Sequence, residues 1–257
     1  MDKTEEKGTQ TAKVAQAPQD KTNSEDYFAD FDLSKVSIDL ESLLKNGAHF
    51  GHQKARKDPR MDEYIFTTRR GISIFDLEKT LEKIEEAAKF LKEIKSSGKQ
   101  IVFVGTKKQL QDVVKSAAKR CAMPYVIERW LGGTFTNFRV IRTRAKYLNE
   151  GQGKMEKGEY QMYTKLERLK MSEELEKLER KMGGIKEMAE LPGAIFVTDI
   201  KQDELAVKEA VKMNIPVVAI VDSNCNPGNV DYPIPANDDA VSSVRLILAY
   251  ICKTLTE

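Results

Sequence analysis

Three short, uninterrupted apolar runs constrain the fold of this chain more than any other feature of its sequence. They are IVFVG at 101–105, AIFVTD at 194–199 and PVVAIVD at 216–222. A strand that is apolar on both sides is typical of a parallel sheet covered by helices on both faces. Amphipathic helical patterns at 77–97 and 205–213 alternate with these runs. The alternation predicts an α/β fold with a parallel sheet of four or five strands.

Other elements are predicted from weaker signals. Tyr64–Phe66 and Ile72–Phe75 are expected to form short strands around the turn Arg69-Arg70-Gly71, and Tyr125–Ile127 another strand. The segment 223–235 is dense in Pro, Asn and Gly, which predicts a loop.

Short polar side chains mark the expected beginnings of three helices. Ser37 precedes a short helix with its leucines on one side, Thr106 precedes the next helix, and Asp238 or Asp239 precedes the last one. Each can cap the first turn with its side-chain oxygen.

A charged segment at 139–190 separates the two halves of the α/β pattern. Its second half has apolar residues at alternating spacings of three and four, namely Met171, Leu175, Leu178, Met182, Ile185 and Ala189. This heptad pattern, after a Gly- and Lys-rich bend at 151–159, predicts an inserted antiparallel coiled-coil hairpin. The α/β domain then comprises 36–138 and 191–257, and the polar segment 1–35 is predicted to be a disordered tail.

Cysteine usage and hydropathy narrow the class of protein. Cys121, Cys225 and Cys252 lie far apart, which favours reduced thiols in a cytoplasm-like compartment over a disulfide framework or a zinc ribbon. No apolar run reaches the roughly 18 residues of a membrane span, and the N-terminus has no pattern of a secretory signal.

Charge is distributed unevenly along the chain, although its net value is only +2. Residues 101–148 contain 10 basic and 2 acidic residues, whereas 149–189 contain 9 of each. The two ends, 1–48 and 190–257, are both net acidic. A strongly cationic central third predicts a surface that faces a polyanion, and a solvated helix face is the simpler alternative.

The segment 129–139, RWLGGTFTNFR, contains the only Trp of the chain. Its aromatics, paired glycines, hydroxyl and amide side chains and terminal arginines suit contact with phosphates and unpaired bases. The alternative is a Gly-Gly turn whose aromatics pack in a core. We expect core packing for Leu131 and Phe135 and, outside this segment, for Phe66, whereas both core packing and RNA contact remain open for Trp130.

A second function remains open at the carboxyl edge of the predicted sheet. There the turn 105–108 could bind a phosphate, while Asp199 and Asp222 could serve metal or acid–base chemistry. The turn matches no GxGxxG or GxxxxGK[ST] motif. His49 and His52 could contribute to a metal site, but packed loop histidines are the simpler interpretation because a closed site needs four ligands. The alternative function is therefore a nucleotide- or sugar-phosphate-binding α/β enzyme.

Five blocks of sequence carry a family resemblance. The blocks are LLKNGAHFGHQ (43–53), YIFTTRRGISIFDLEKT (64–80), IVFVGTKKQ (101–109), RWLGGTFTNF (129–138) and PVVAIVDSNCNPGNVDYPIPANDDA (216–240). In this order they resemble bacterial small-subunit ribosomal protein two, the S-two family, over roughly residues 40–253.

The resemblance implies a flavodoxin-like fold with a helical hairpin and a non-catalytic role in translation, ribosome-bound in a bacterial cytoplasm. It implies binding to small-subunit ribosomal RNA and neighbouring ribosomal proteins, including docking of ribosomal protein one, without cofactor, metal, membrane or small-molecule substrate. The family often has an aromatic in the loop where this chain has Ala55, Arg56 and Lys57. The RNA-binding residues that the basic and aromatic pattern and the resemblance together predict are Gln53, Lys54, Arg56, Lys57, Arg60, Arg69, Arg70, Lys107, Lys108, Arg129, Trp130, Thr134, Asn137 and Arg139.

Overall fold

A computed structural model describes residues 37–257, apart from the side chains of Glu159 and Gln161. The predicted disordered tail, 1–35, lies outside the described residues. The strands are β1 (Phe50–Gln53), β2 (Ile65–Arg69), β3 (Ile72–Phe75), β4 (Ile101–Val104), β5 (Tyr125–Val126), β6 (Ala194–Val197), β7 (Val217–Val221) and β8 (Tyr232–Pro235). The α-helices are α1 (Leu40–Lys45), α2 (Leu77–Ser96), α3 (Gln111–Cys121), α4 (Phe138–Glu156), α5 (Lys165–Met182), α6 (Glu204–Lys212) and α7 (Val241–Thr256).

Five of these strands form one parallel sheet in the order β5-β4-β6-β7-β8. The first strand of this sheet along the chain, β4, therefore lies inside it, with β5 on one side and β6 on the other. This is the flavodoxin-like order, in which the connections reverse direction beside the first strand. The predicted α/β fold is confirmed.

Successive residues of the central strands point to opposite faces of the sheet and into two separate cores. Ile101 and Phe103 pack with α2, α3 and α7 on one face. Val102 and Val104 pack on the other face with α6 and with the ends of α4 and α5. All four residues of β4 are buried, which explains why its sequence is continuously apolar rather than alternating.

The prediction of a loop over 223–235 was wrong at its end. Residues Tyr232–Pro235 form β8, which pairs in parallel with β7 through Val218↔Tyr232 and Val221↔Pro235. Two prolines, at 233 and 235, argued against a strand because proline cannot donate a ladder hydrogen bond. The strand tolerates them because it is the edge strand and bonds to a single neighbour.

Two predicted helix caps are also wrong. Helix α1 begins after Asp39 rather than Ser37, and the Asp39 carboxylate accepts a 2.8 Å hydrogen bond from the backbone N–H of Ser42. Helix α3 begins after Leu110, and Thr106 makes its side-chain bond elsewhere, as described below.

The predicted bend at 151–159 is displaced toward the C-terminus, because α4 continues as helix through Gly151 and Gly153 to Glu156. Helices α4 and α5 contact each other where Gly151 faces Leu175. Between these two residues no described side chain is buried. Helix α5 ends at Met182, and within the predicted heptad Ile185 lies in a buried 3₁₀ turn while Ala189 is exposed. A coiled-coil geometry therefore remains a prediction.

The remaining three strands form a small antiparallel sheet in the order β1-β3-β2. The strand predicted at Ile72–Phe75 is confirmed, whereas the strand predicted at Tyr64–Phe66 begins at Ile65 and continues through Arg69. Arg70 and Gly71 join β2 to β3 with φ values of 52° and 78°. Two consecutive positive φ angles are typical of a tight hairpin turn, and Gly71 adopts its angle without steric cost.

Candidate nucleic-acid interface

The loop between β5 and α4, residues 127–137, is held by one buried carboxylate from another helix. Glu209 on α6 accepts hydrogen bonds from the backbone N–H groups of Gly133 (2.6 Å), Phe135 (2.9 Å) and Thr136 (3.2 Å). Burial raises the pKa of Glu209, but these three N–H donors outweigh it and hold the pKa below its usual value. A fixed negative charge therefore orders the loop from inside.

Glu209 was missed by the sequence interpretation. The signal that could have revealed it is its position among Ala206, Val207 and Ala210, which form the buried side of α6. A buried carboxylate on an otherwise apolar helix face requires several donors, because an unpaired buried charge is costly. The sequence alone does not indicate which loop supplies those donors.

Two predicted RNA-binding residues of this loop have their side chains inside the protein. Trp130 is 5% exposed and packs edge-on against Phe135, with ring centroids 4.8 Å apart. Thr134 is 1% exposed, and its hydroxyl donates a 2.6 Å hydrogen bond to the carbonyl of Leu131. Both predictions need correction, because the loop uses these side chains to pack its own base. The predicted burial of Phe135 is confirmed.

The other three predicted residues of the segment 129–139 are exposed. Arg129 precedes the buried part of the loop, whereas Asn137 and Arg139 lie at the start of α4. Further exposed cations follow along α4, namely Arg142, Arg144 and Lys146. The loop therefore has an apolar, hydrogen-bonded interior and a cationic outer surface.

The basic loop 53–60 lies on the carboxyl edge of the parallel sheet. It is attached there through Ser223, which follows β7: the carbonyl of Ser223 accepts a 2.8 Å bond from the N–H of Asp58, and its hydroxyl accepts one of 2.8 Å from the N–H of His52. The N–H of Lys54 also donates to the carbonyl of Gly71, which joins the loop to the β2–β3 turn. The exposed predicted residues in this region are Gln53, Lys54, Arg56, Arg60, Arg69 and Arg70.

Two side chains near this loop depart from expectation. Lys57 is half-buried and forms an ion pair with Asp62, so its charge is partly neutralised. Phe66 was predicted to lie in a core, but it is 76% exposed on β2. The strand pairing explains the error: the register of β2 against β3 shifts between Ile65 and Thr67, and Phe66 lies at that irregularity. Period-two alternation fails at such a bulge.

Lys107 and Lys108 are adjacent in sequence but have different environments. Lys108 is exposed, whereas the Lys107 side chain is 17% exposed. The Lys107 ammonium lies 2.9 Å from a carboxylate oxygen of each of Asp199, Asp238 and Asp239. Lys107 was predicted to bind RNA, and this is corrected: its charge is taken up by carboxylates. Asp238 and Asp239, predicted to cap α7, bind Lys107 instead, and α7 begins after Ala240.

The carboxyl ends of β4, β6 and β7 thus meet as expected, and with the residues that follow β8 they form an ion network. Burial raises the pKa of Asp238 to about 7, together with the neighbouring charge of Asp199. Burial likewise raises the pKa of Asp203 to about 6, against the opposing effect of hydrogen bonds from the Thr106 hydroxyl (2.9 Å) and N–H (3.2 Å). Burial lowers the pKa of Lys107, but the surrounding carboxylates outweigh it and raise the pKa overall. The part of the sheet edge around Lys107 is therefore lined by carboxylates.

Of the residues considered for metal binding, Asp199 lies in this network. It places one ligand atom within 4.8 Å of those of Cys225 and Asp238, which the sequence interpretation did not consider for metal binding. The Lys107 ammonium contacts the carboxylates of both Asp199 and Asp238. Nδ1 of His52 lies 3.1 Å from Asp222, on the same edge.

His49 makes its ring contact outside this network. Its ring packs against Phe50 with centroids 3.9 Å apart, and burial lowers its pKa. This contact fits the interpretation of His49 as a packed loop histidine.

Comparison with known proteins identifies the family. The family model for ribosomal protein S2 matches residues 43–257. The chain belongs to the ribosomal protein S2 family. A similar relative is the small ribosomal subunit protein uS2 of Roseiflexus sp. (strain RS-1), which is 49% identical over 220 residues, covering 86% of this chain and 84% of the relative. The predicted family is thereby confirmed.

Family membership also decides between the two functional classes. Ribosomal protein S2 is a structural protein of the small subunit, so the chain has a role in translation and the enzyme alternative is excluded. Among the helices of residues 37–257, none is long and apolar enough to cross a lipid bilayer.

Proposed function

We propose that this member of the S2 family binds small-subunit ribosomal RNA through exposed cations at the carboxyl edge of its sheet. The observation that supports this is their common location. Lys108 follows β4, Arg129 and Arg139 flank the loop after β5, and the loop 53–60 is attached beside β7 through Ser223. Exposed lysines and arginines gathered on one edge suit contact with a phosphate backbone.

The proposed RNA-binding set is smaller than the predicted one. It retains the exposed residues Gln53, Lys54, Arg56, Arg60, Arg69, Arg70, Lys108, Arg129, Asn137 and Arg139. Trp130, Thr134 and Lys107 serve the interior of the loop and the ion network, and Lys57 is paired with Asp62. In this proposal the protein acts in the cytoplasm, on the ribosome.

A charge-removal experiment tests the proposal. A variant with Lys54, Arg56, Arg69, Arg129 and Arg139 changed to Gln should bind small-subunit RNA more weakly at low salt. The logarithm of its RNA affinity should also fall less steeply with the logarithm of the salt concentration. The slope should decrease by about one unit for each phosphate that the variant no longer neutralises. The matched control removes five exposed lysines from helices elsewhere, namely Lys89, Lys92, Lys165, Lys170 and Lys212. Equal losses of affinity in both variants would indicate non-specific attraction and contradict the proposed site.

Sedimentation gives a second, independent test. Wild-type protein in a lysate should migrate with small subunits in sucrose gradients at low and high magnesium, and the five-cation variant should be depleted from that fraction. A variant that stays bound in full would show that protein contacts, rather than this RNA surface, hold it there.

We further propose that the segment from Gly151 to Leu175 is an independent arm that helps dock ribosomal protein one. The exposed apolar side chains near the start of α5, Met162, Leu166 and Leu169, support a protein contact there. Changing Leu166 and Leu169 to Ser should weaken capture of purified protein one. The control changes Leu205 and Val211, exposed apolar residues of α6, to Ser.

Independence of the arm has its own test. Since no described side chain between Gly151 and Leu175 is buried, replacing 152–174 with a short Gly-Ser turn should leave one cooperative unfolding transition. Loss of that transition would contradict an independent arm.

A further inference from the structure

The small antiparallel sheet has an exposed apolar face. Because paired residues lie on the same face, Phe50 and Ile74 share one side of the sheet with Ile72. Phe50 is 48% and Ile72 38% exposed. The opposite side is the buried one, since Ser73 and Phe75 alternate with these residues and are both buried. We call Phe50, Ile72, Ile74 and the neighbouring Phe66 the outer face.

Cations lie at one end of the outer face, beside the β2–β3 turn. Arg69 pairs directly with Ile72 across β2 and β3, and Arg70 follows it in the turn. Lys54 and Arg56 follow β1 in the adjoining loop. All four are exposed, and within residues 37–257 none forms an ion pair with an acidic side chain. The surface therefore suits a ligand that has both aromatic and negatively charged groups.

One segment of this chain has that chemistry. Residues 24–33, SEDYFADFDL, contain four carboxylates (Glu25, Asp26, Asp30 and Asp32), three aromatics (Tyr27, Phe28 and Phe31) and no cation. The preceding residues 1–23 contain four acidic residues balanced by four lysines, and no aromatic. The match to the outer face is thus specific to 24–33 rather than a property of the whole N-terminal segment.

We propose that residues 24–33 bind to the outer face of this sheet, with carboxylates beside the arginines and aromatics on Phe50, Phe66 and Ile72. The chain between this segment and α1 is long enough to permit this contact. Six residues, 34–39, separate the segment from α1 and can span up to about 20 Å. Helix α1 is about 9 Å long, and the Phe50 N–H bonds to Gly47 just after it. Tethering at this distance gives an effective concentration of about millimolar.

The consequence for RNA rests on the proposed function. Lys54, Arg56, Arg69 and Arg70 belong to the proposed RNA-binding set, so the bound segment occupies cations that would otherwise contact phosphates. Its carboxylates correspond to phosphates and its aromatics to unpaired bases. RNA and residues 24–33 therefore compete for one surface.

Photocrosslinking in the full-length protein tests the contact without RNA. Benzoylphenylalanine replaces Phe28, and crosslinked peptides are mapped by mass spectrometry. We expect crosslinks within residues 50–72, which should disappear when Glu25, Asp26, Asp30 and Asp32 become amides. A matched control changes Asp2, Glu5, Glu6 and Asp20 to amides and should retain them. Crosslinks to other regions, none at all, or crosslinks only between differently labelled copies would overturn the proposal.

RNA affinity provides the second test of the proposal. At low salt, the 25–32 amide variant should bind small-subunit RNA about fivefold or more tightly than wild type, and the control variant should change much less. Equal gains in both variants would show an effect of net charge and overturn competition at the outer face. If the wild-type protein and both variants fail to bind RNA, the proposed function fails, whereas the crosslinks still decide whether the segment binds.

Discussion

The carboxylate of Glu209 lies 2.6 Å from the backbone nitrogen of Gly133, although the two residues are 76 positions apart in the chain. Together with the bonds to Phe135 and Thr136, this contact fixes the loop whose ends present Arg129 and Arg139. The same carboxylate thus links the packing of α6 on the sheet to the surface that we propose for RNA.

Replacing this carboxylate should therefore destabilise the protein. Glu209→Gln weakens charge-assisted bonds to buried N–H groups and should cost about 2–3 kcal/mol in the free energy of unfolding. Urea denaturation measures the loss. Glu204→Gln on the exposed side of the same helix is the control and should cost less than about 1 kcal/mol. Similar losses in both variants would contradict the anchoring role of Glu209.

The pH dependence of the Glu209 contribution has a defined sign. Its pKa in the folded state is lowered from the ordinary value of 4.5, so the stabilisation is present above pH 4.5 and lost as pH falls through the lower folded-state value. The wild type and Glu209→Gln should therefore differ most near neutral pH and converge in acid. Urea unfolding from pH 3 to pH 7 tests this, and a constant difference would contradict it.

Gly151 and Gly153 in α4 should respond in opposite directions to alanine. A Cβ on Gly151 would lie 2.6 Å from Leu175 Cδ2, whereas one on Gly153 has no neighbour within 4 Å. Gly151→Ala should cost about 1–3 kcal/mol through overpacking. Gly153→Ala should be neutral or gain up to about 1 kcal/mol from helix propensity. Thermal unfolding distinguishes them, and stabilisation by both substitutions would show that the helices do not approach closely at Gly151.

Lys107 and Lys108 provide a matched pair that separates structure from RNA binding. Lys107→Met leaves the buried carboxylates of Asp199 and Asp238 without their cation and should cost about 3–5 kcal/mol. Lys108→Met should leave the unfolding free energy nearly unchanged and weaken RNA binding. Urea denaturation and RNA titration of both variants are the measurements. An unchanged stability of Lys107→Met would contradict the ion network.

The raised pKa of Asp238 predicts that its contribution to the free energy of unfolding changes with pH in the opposite direction to that of Glu209. Because its pKa rises from 3.8 to about 7, the folded state holds an extra proton between these values, and its contribution to stability falls as pH rises through this window. One proton corresponds to about 1.4 kcal/mol per pH unit at most. In urea unfolding between pH 4.5 and 7.5, the stability of Asp238→Asn should decline less steeply than that of wild type, and the remaining decline comes from Asp203, whose pKa is also raised. Asp112→Asn, at an exposed position, should keep the wild-type decline.

Local sequence patterns were sufficient for the three central strands of the parallel sheet and for the presence of the helices that alternate with them. The runs at 101–105, 194–199 and 216–222 became β4, β6 and β7 because a strand buried on both faces needs apolar residues at every position. They also placed Asp199 and Asp222 correctly at one edge, since the carboxyl ends of parallel strands meet. The five quoted blocks were enough to predict the family.

Tertiary structure alone decided which polar residues face solvent. Lys107 and Lys108 are equivalent in sequence, but only the position of Lys107 between β4, β6 and the end of β8 supplies three carboxylates. In the sequence, Thr134 and Trp130 resemble residues that contact a ligand at the surface. In the structure both side chains are buried, and Glu209 binds the backbone of their loop from inside the protein. Sequence therefore determined the α/β fold and the excess of cations in residues 101–148, because periodicity and charge are local. Which of these cations enter the ion network and which are exposed depends on contacts between residues distant in the chain.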